Sequence, residues 1–211
     1  MLIVAFIEGK ERIRNGQCSK CLQSIFPIYC AAIMSIKLAN QAFIDAQNLY
    51  LGTVSIGSSW KVDLKRFRIY LAQKYHVSEA YYFLGTRNPK LGDMYTAIQK
   101  HGYILMFREH SQKMAGAKKG NVDTDIVFSV MRKLYKKELN KAVLVSGDGD
   151  YYRTVKFLIE EGRLEKILMP NKKYASSLYK SIPDSYKDYL DNESLRSKIE
   201  YKDRKQNAGS P

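Results

Sequence analysis

Two aspartates two residues apart, Asp148 and Asp150, follow the apolar run Ala142–Val145 in the segment SGDGD. Gly147 and Gly149 relieve the backbone, so that both carboxylates can project from one tight turn. A second pair, Asp123 and Asp125, opens a long amphipathic segment in GNVDTDI, and Asp45 ends the short apolar run of AFID. Each has an ordinary explanation when taken singly. An aspartate in the first turn of a helix complements the macrodipole or caps the end, which suits Asp125 and one of Asp148 and Asp150. An aspartate after a strand is turn chemistry. Taken together they require more. Like charges gathered at one edge repel and need a counterion, and Mg²⁺ or Mn²⁺ suits oxygen donors. An ion or ion pair held by Asp45, Asp123, Asp148 and Asp150 would lower the pKa of a bound water and stabilise charge on a phosphate, as phosphodiester hydrolysis requires.

For those carboxylates to meet, the elements between them must bring distant segments to one edge. Hydrophobic patterning supplies such a frame. Short apolar runs at 42–44, 80–85, 103–107, 142–145 and 166–169 read as strands bounded by Gly, Pro or Asp. Between them, 64–75, 93–101, 122–139, 151–161 and 174–181 read as helices; in the first, Leu64, Phe67, Leu71 and Tyr75 share a face. Alternating strands and helices predict an α/β three-layer sandwich around a central parallel sheet of about five strands. Ligands bind beyond the carboxyl ends of such strands, which is where Asp45, Asp148 and Asp150 fall. The helix beginning near Val122 can deliver Asp123 to the same edge.

The chain has 211 residues, with 35 Lys and Arg against 21 Asp and Glu, a net charge of +14. That length and a 45% hydrophobic composition suit one globular domain with tails and exclude a wholly disordered chain. The basic excess favours polyanionic partners. It also leaves the aspartates as an acidic site in a basic surround, fit for drawing in a phosphate backbone. No stretch reaches the ~18 uninterrupted apolar residues of a membrane span. Three cysteines cannot build a disulfide framework, so the expected location is cytoplasmic. Residues 1–33 differ from the rest and are expected to be an extension upstream of a true start at Met34. Within them Cys18 and Cys21 lack the further ligands of a structural zinc site, and Pro27 interrupts the apolar run that a signal peptide would need. The domain is expected over 34–195, with a polar, disordered tail over 196–211.

The segments AFIDAQNLY, KKGNVDTDIVFSVMRK and AVLVSGDGDYYRTVKFLIEEG together resemble the NYN domain family, the LabA-like branch of the PIN-like nucleases. The resemblance runs from about Ile36 to about Leu190, and MPNKKYASSLYKSIPDSY is similar to the family's segment after the last strand. It implies a PIN-like fold, metal-dependent cleavage of RNA and an acidic metal cluster. The family's first acidic position falls on Asp45, with its accompanying amide on Asn48. The mid-chain acid falls on Asp123, with Lys119 before it. The final pair falls on Asp148 and Asp150, with Ser146 supporting the turn. Here Asn121 and Val122 separate the lysine–glycine pair from the acid, one residue more than the commoner spacing, so the register stays open between Asp123 and Asp125. PIN-like domains often pair, which points to a homodimer.

On this reading Asn48 orients a carboxylate or the substrate, or else caps the helix after Asp45. Lys119 pairs with phosphate, or is a solvated loop lysine. Tyr152, beside the acidic turn, is the better of the tyrosines for stacking on a base of single-stranded RNA. A non-catalytic RNA-binding regulator with the same fold is the alternative. A haloacid-dehalogenase-type phosphatase is disfavoured because Gln47 stands where a second aspartate is needed. No phosphate-cradling glycine loop of the G-x-x-x-x-G-K-[ST] form is present.

Overall fold

The computed structural model describes residues 39–54, 60–108 and 122–202. All belong to the second of the two units into which the chain divides, Leu38–Pro211. The cysteine pair, Met34 and Lys119 lie outside the described residues.

Strand β1 (Asn40–Asp45) is buried along its whole length. Its two faces serve two cores: Ala42 and Ile44 point into one, Phe43 into the other. This is why the run reads as continuously apolar rather than alternating. Helix α1 (Ala46–Val54) follows directly, then α2 (Leu64–Tyr75), β2 (Val77–Leu84), α3 (Gly92–Lys100), β3 (Tyr103–Phe107), α4 (Val122–Tyr135), β4 (Ala142–Val145), α5 (Tyr152–Glu160), β5 (Leu164–Met169), β6 (Lys187–Tyr189) and α6 (Glu193–Ile199). The six strands pair in the order β3-β2-β1-β4-β5-β6, every pairing parallel. Helices cover both faces. Phe67, Leu71 and Tyr75 of α2 pack into one core with Leu195 and Ile199 of α6; Ile126 and Val130 of α4 pack into the other with Val155 and Leu158 of α5.

Strand order reverses between β1 and β4, the place where an open parallel sheet forms a crevice at its carboxyl edge. Close packing of α1 over that edge depends on Gly52. A Cβ there would lie 2.5 Å from Cβ of Pro170, the buried residue that follows β5. The proline ring cannot swing aside, so Gly52→Ala is expected to destabilise the chain by about 1–3 kcal/mol through overpacking, less the ~1 kcal/mol that alanine gains in a helix. Urea unfolding measures the difference.

Four elements differ from the sequence reading. Helix α4 ends at Tyr135 instead of running to 139. Lys137 takes the left-handed conformation (φ 57°), its N–H donates to Leu134 O and that of Glu138 donates to Lys133 O, which closes the helix. Leu139, read as helical, is buried beyond this turn. The segment 174–181 holds a 3-10 turn over Ser177–Ser181 rather than an α-helix. The sixth strand, β6, is three residues of mixed polarity at the sheet edge, too short to carry a period. The polar tail expected from Arg196 does not begin there: α6 continues to Ile199, which is fully buried, and Tyr201 N–H donates to Lys61 O at 2.7 Å. Two apolar positions four apart, Leu195 and Ile199, anchor this otherwise charged helix on α2.

Candidate metal centre

Period two along β1 sends Asp45 to the same side as Phe43, toward α4 and α5. Asp45 is 5% exposed. Oδ1 accepts from Asn48 N–H at 2.9 Å, so Asp45 itself caps α1, and Oδ2 accepts from the Tyr151 hydroxyl at 3.2 Å. Asn48 is thereby released from capping. Its Oδ1 accepts from Gly147 N–H at 2.8 Å and pins the loop after β4 to α1.

That loop is held from several sides. Ser146, fully buried, accepts from Asp148 N–H at 3.1 Å. Asp148 caps the short 3-10 turn Gly149–Tyr151 by accepting from Asp150 N–H at 3.1 Å. Ser176 N–H donates to Gly147 O at 2.9 Å, and the Tyr179 hydroxyl donates to Asp148 O. A Cβ on Gly149 would meet Ser176 Oγ at 2.6 Å, so this glycine admits the close approach of the segment after β5.

Helical spacing places Asp123 in line with Ile126 and Val130, on the buried face of α4. Asp125 shares its side of the helix with Phe128, which is exposed. Oxygens of Asp123, Asp148 and Asp150 all lie within 4.8 Å of one another; among the described residues this is the group able to hold a metal, and neither Asp125 nor Asp45 belongs to it. Asp45 reaches the group through Tyr151, whose single hydroxyl proton is shared between Asp45 Oδ2 and the nearer Asp123 Oδ1. Tyr151 is fully buried, and burial together with the charges of Asp45 and Asp123 pushes its phenol far above the usual range. It is therefore a fixed protonated donor between two carboxylates. Sequence reasoning passed over it for Tyr152. The available signal was spacing: Tyr151 stands next to Asp150 and four and seven residues before Val155 and Leu158, the buried face of the helix that follows. Tyr152 bonds Ser181 Oγ at 2.9 Å and packs edgewise on Tyr179.

The donor set fits a hard divalent cation. Three carboxylates offer oxygen only, and opposite ligands of a Mg²⁺ ion stand about 4.2 Å apart, close to the span of these three. Burial raises the Asp45 pKa, the Asn48 hydrogen bond opposes the rise, and the charge of Asp123 adds to it. The folded metal-free chain thus binds this proton more tightly than the unfolded chain does. Asp45 costs stability as pH rises from the ordinary 3.8 through its raised folded value. In metal-free protein, Asp45→Asn is expected to raise the melting temperature at pH 7 and to lose that gain below about pH 4, where Asp45 is protonated in folded and unfolded chains alike.

A three-layer parallel α/β protein with an acidic group at its strand-order reversal is the class that fold and site define. The NYN domain family model matches residues 41–189, and the chain belongs to that family. The crystal structure of a protein of unknown function from Vibrio parahaemolyticus has the same fold, with a TM-score of 0.59 and 18% identity over 79% of this chain and 99% of that one. No curated protein matches the sequence. Among the described residues no helix is long and apolar enough to cross a membrane.

Proposed function

We propose that the chain is a metal-dependent ribonuclease, an endonuclease of the LabA-like branch, acting on single-stranded RNA in the cytoplasm. The observation that carries the reading is the convergence of Asp123, Asp148 and Asp150 at the sheet's carboxyl edge. Membership of a family within the PIN-like nucleases supports it. So does the net charge of +14 over the whole chain, which favours a polyanionic substrate.

Asp123, Asp148 and Asp150 would hold Mg²⁺ or Mn²⁺. Such an ion would supply a water of lowered pKa and a counter-charge for the phosphate. The chain's own residues do the positioning. Asn48 and Ser146 fix the backbone that presents Asp148, and Tyr151 holds Asp123 against Asp45. Asp45, the fourth acid, acts from behind the other three, orienting Tyr151 and capping α1. Lys119 is proposed to meet the phosphate backbone, on the family resemblance.

Incubation of the purified chain with single-stranded RNA tests this. Products bearing 5′-phosphate should appear with Mn²⁺ or Mg²⁺ and vanish with chelator. Binding that survives chelation with no cleavage under any metal would point instead to a non-catalytic RNA-binding regulator.

A further inference from the structure

On the other side of α1 from Asn48 lies a cleft of about 670 Å³, walled by α1, the start of α2, α3 and the carboxyl end of β2. That volume is in the range of built ligand sites. Its floor is Tyr82, one residue along the paired strands from Asp45: Ile44 pairs with Tyr82 and Asp45 with Phe83. The Tyr82 phenol is pushed up to about 12, first by burial and then by the charge of Asp45, so the cleft and the acidic site share an electrostatic neighbourhood. Tyr50 and Met94 line it while exposed themselves, Tyr50 at 57%. Lys61 and Lys65 stand in the lining, and Lys61 Nζ sits 5.6 Å from the centre of the Tyr201 ring. The one carboxylate among the described lining residues, Asp63, is engaged: it caps α2 through Arg66 N–H at 3.0 Å and pairs with the Arg66 guanidinium at 3.9 Å.

Resting on the ribonuclease reading, we propose that this cleft takes an unpaired nucleobase of the RNA strand, next to the nucleotide whose phosphate lies at the aspartates. A nucleotide matches both halves of the lining. Its base offers a flat apolar face to Tyr50, Met94 and Tyr82, and its phosphate offers negative charge to Lys61 and Lys65. The cleft lies on the face of the sheet opposite Asp123, with α1 between the two sites, so a strand crossing the carboxyl edge would meet both. A duplex would keep its bases stacked and out of the cleft, which makes the site a filter for single strands.

The test measures binding of a short fluorescent single-stranded RNA to the Asp148→Asn chain in Mg²⁺, with an abasic unit placed at each position in turn. Tyr50→Ala, at an exposed position that leaves the core intact, should weaken intact RNA about tenfold, the effect of one stacked base. One abasic position should weaken binding to the Asp148→Asn parent by a similar factor, and Tyr50→Ala should add nothing there. Met94→Glu, which puts a carboxylate in the lining, should weaken binding at least as much. If both variants bind intact RNA like the parent, or if their losses add in full at every abasic position, the cleft does not hold a base. Cleavage of the same RNA by the wild-type chain in Mn²⁺ separates the failures. Cleavage with no effect of Tyr50→Ala overturns the base site alone; absence of cleavage overturns the ribonuclease reading and this inference with it.

Discussion

Asp148→Asn should cut metal-dependent RNA cleavage by on the order of 10³-fold or more, the scale seen when one member of a catalytic unit is removed, while the chain stays folded. Asp148 contributes one of three carboxylates whose oxygens lie within 4.8 Å of one another. Losing its charge weakens a set that must hold a divalent ion. The substitution is conservative for the fold. The Asn side chain keeps an oxygen that can accept from Asp150 N–H, as Asp148 Oδ1 does at 3.1 Å. The backbone bonds from Gly147 N–H to Asn48 and from the Tyr179 hydroxyl to Asp148 O do not involve the altered group. In metal-free protein the substitution also relieves repulsion from Asp123 and Asp150, so the melting temperature should be equal to or above that of wild type. Cleavage assays and thermal melts with and without Mn²⁺ separate the two effects. Cleavage by Asp148→Asn at the wild-type rate would falsify the assignment.

Two kinds of signal made much of this legible in the amino-acid sequence. The buried strands are short apolar runs, three of the five closed by Asp45, Gly85 or Pro170, and the parallel order follows from their alternation with helices. The ends of those runs therefore name the edge where ligands bind, and Asp45, Asp148 and Asp150 stand at that edge. What was hidden depended on direction rather than position. Asp123 and Asp125 are two residues apart and chemically identical. Only the face of α4, set by Ile126 and Val130, decides which one turns inward. Similarly, Tyr151 and Tyr152 are neighbours, and the turn Gly149–Tyr151 buries the first completely while leaving the second to pack on Tyr179. By position alone Asp45 is one ligand among four. The sequence could not show that a buried phenol stands between it and Asp123. The short edge strand β6 and the charged helix α6 escaped for a different reason. Their order comes from tertiary burial of a few residues, Leu190, Leu195 and Ile199, and not from a local pattern.

Tyr151→Phe isolates that phenol. The ring remains to fill the core; only the hydroxyl goes. Asp45 Oδ2 then loses the donor at 3.2 Å, and at 5% exposure water has little access to replace it. An unsatisfied buried carboxylate oxygen costs about 1–3 kcal/mol, and the expected loss of stability at pH 7 is of that size. The tyrosine hydroxyl favours the ionised form of Asp45. Without it the folded pKa rises further, so the loss should be largest at neutral pH and shrink as pH falls through that raised value. A purely structural cost would end there. Tyr151 also holds Asp123, so the variant should bind Mn²⁺ about 10–100-fold more weakly, as when the outer partner of a metal ligand is removed. Raised Mn²⁺ should restore much of the cleavage, which it cannot do for Asp148→Asn to the same degree. Asp45→Asn in the Tyr151→Phe background should recover most of the stability, because the charge left without a donor is then gone. A Tyr151→Phe chain that melts like wild type and binds Mn²⁺ equally well would show that the shared hydroxyl does not couple the two acids. Asp45 would then have to act on the centre directly.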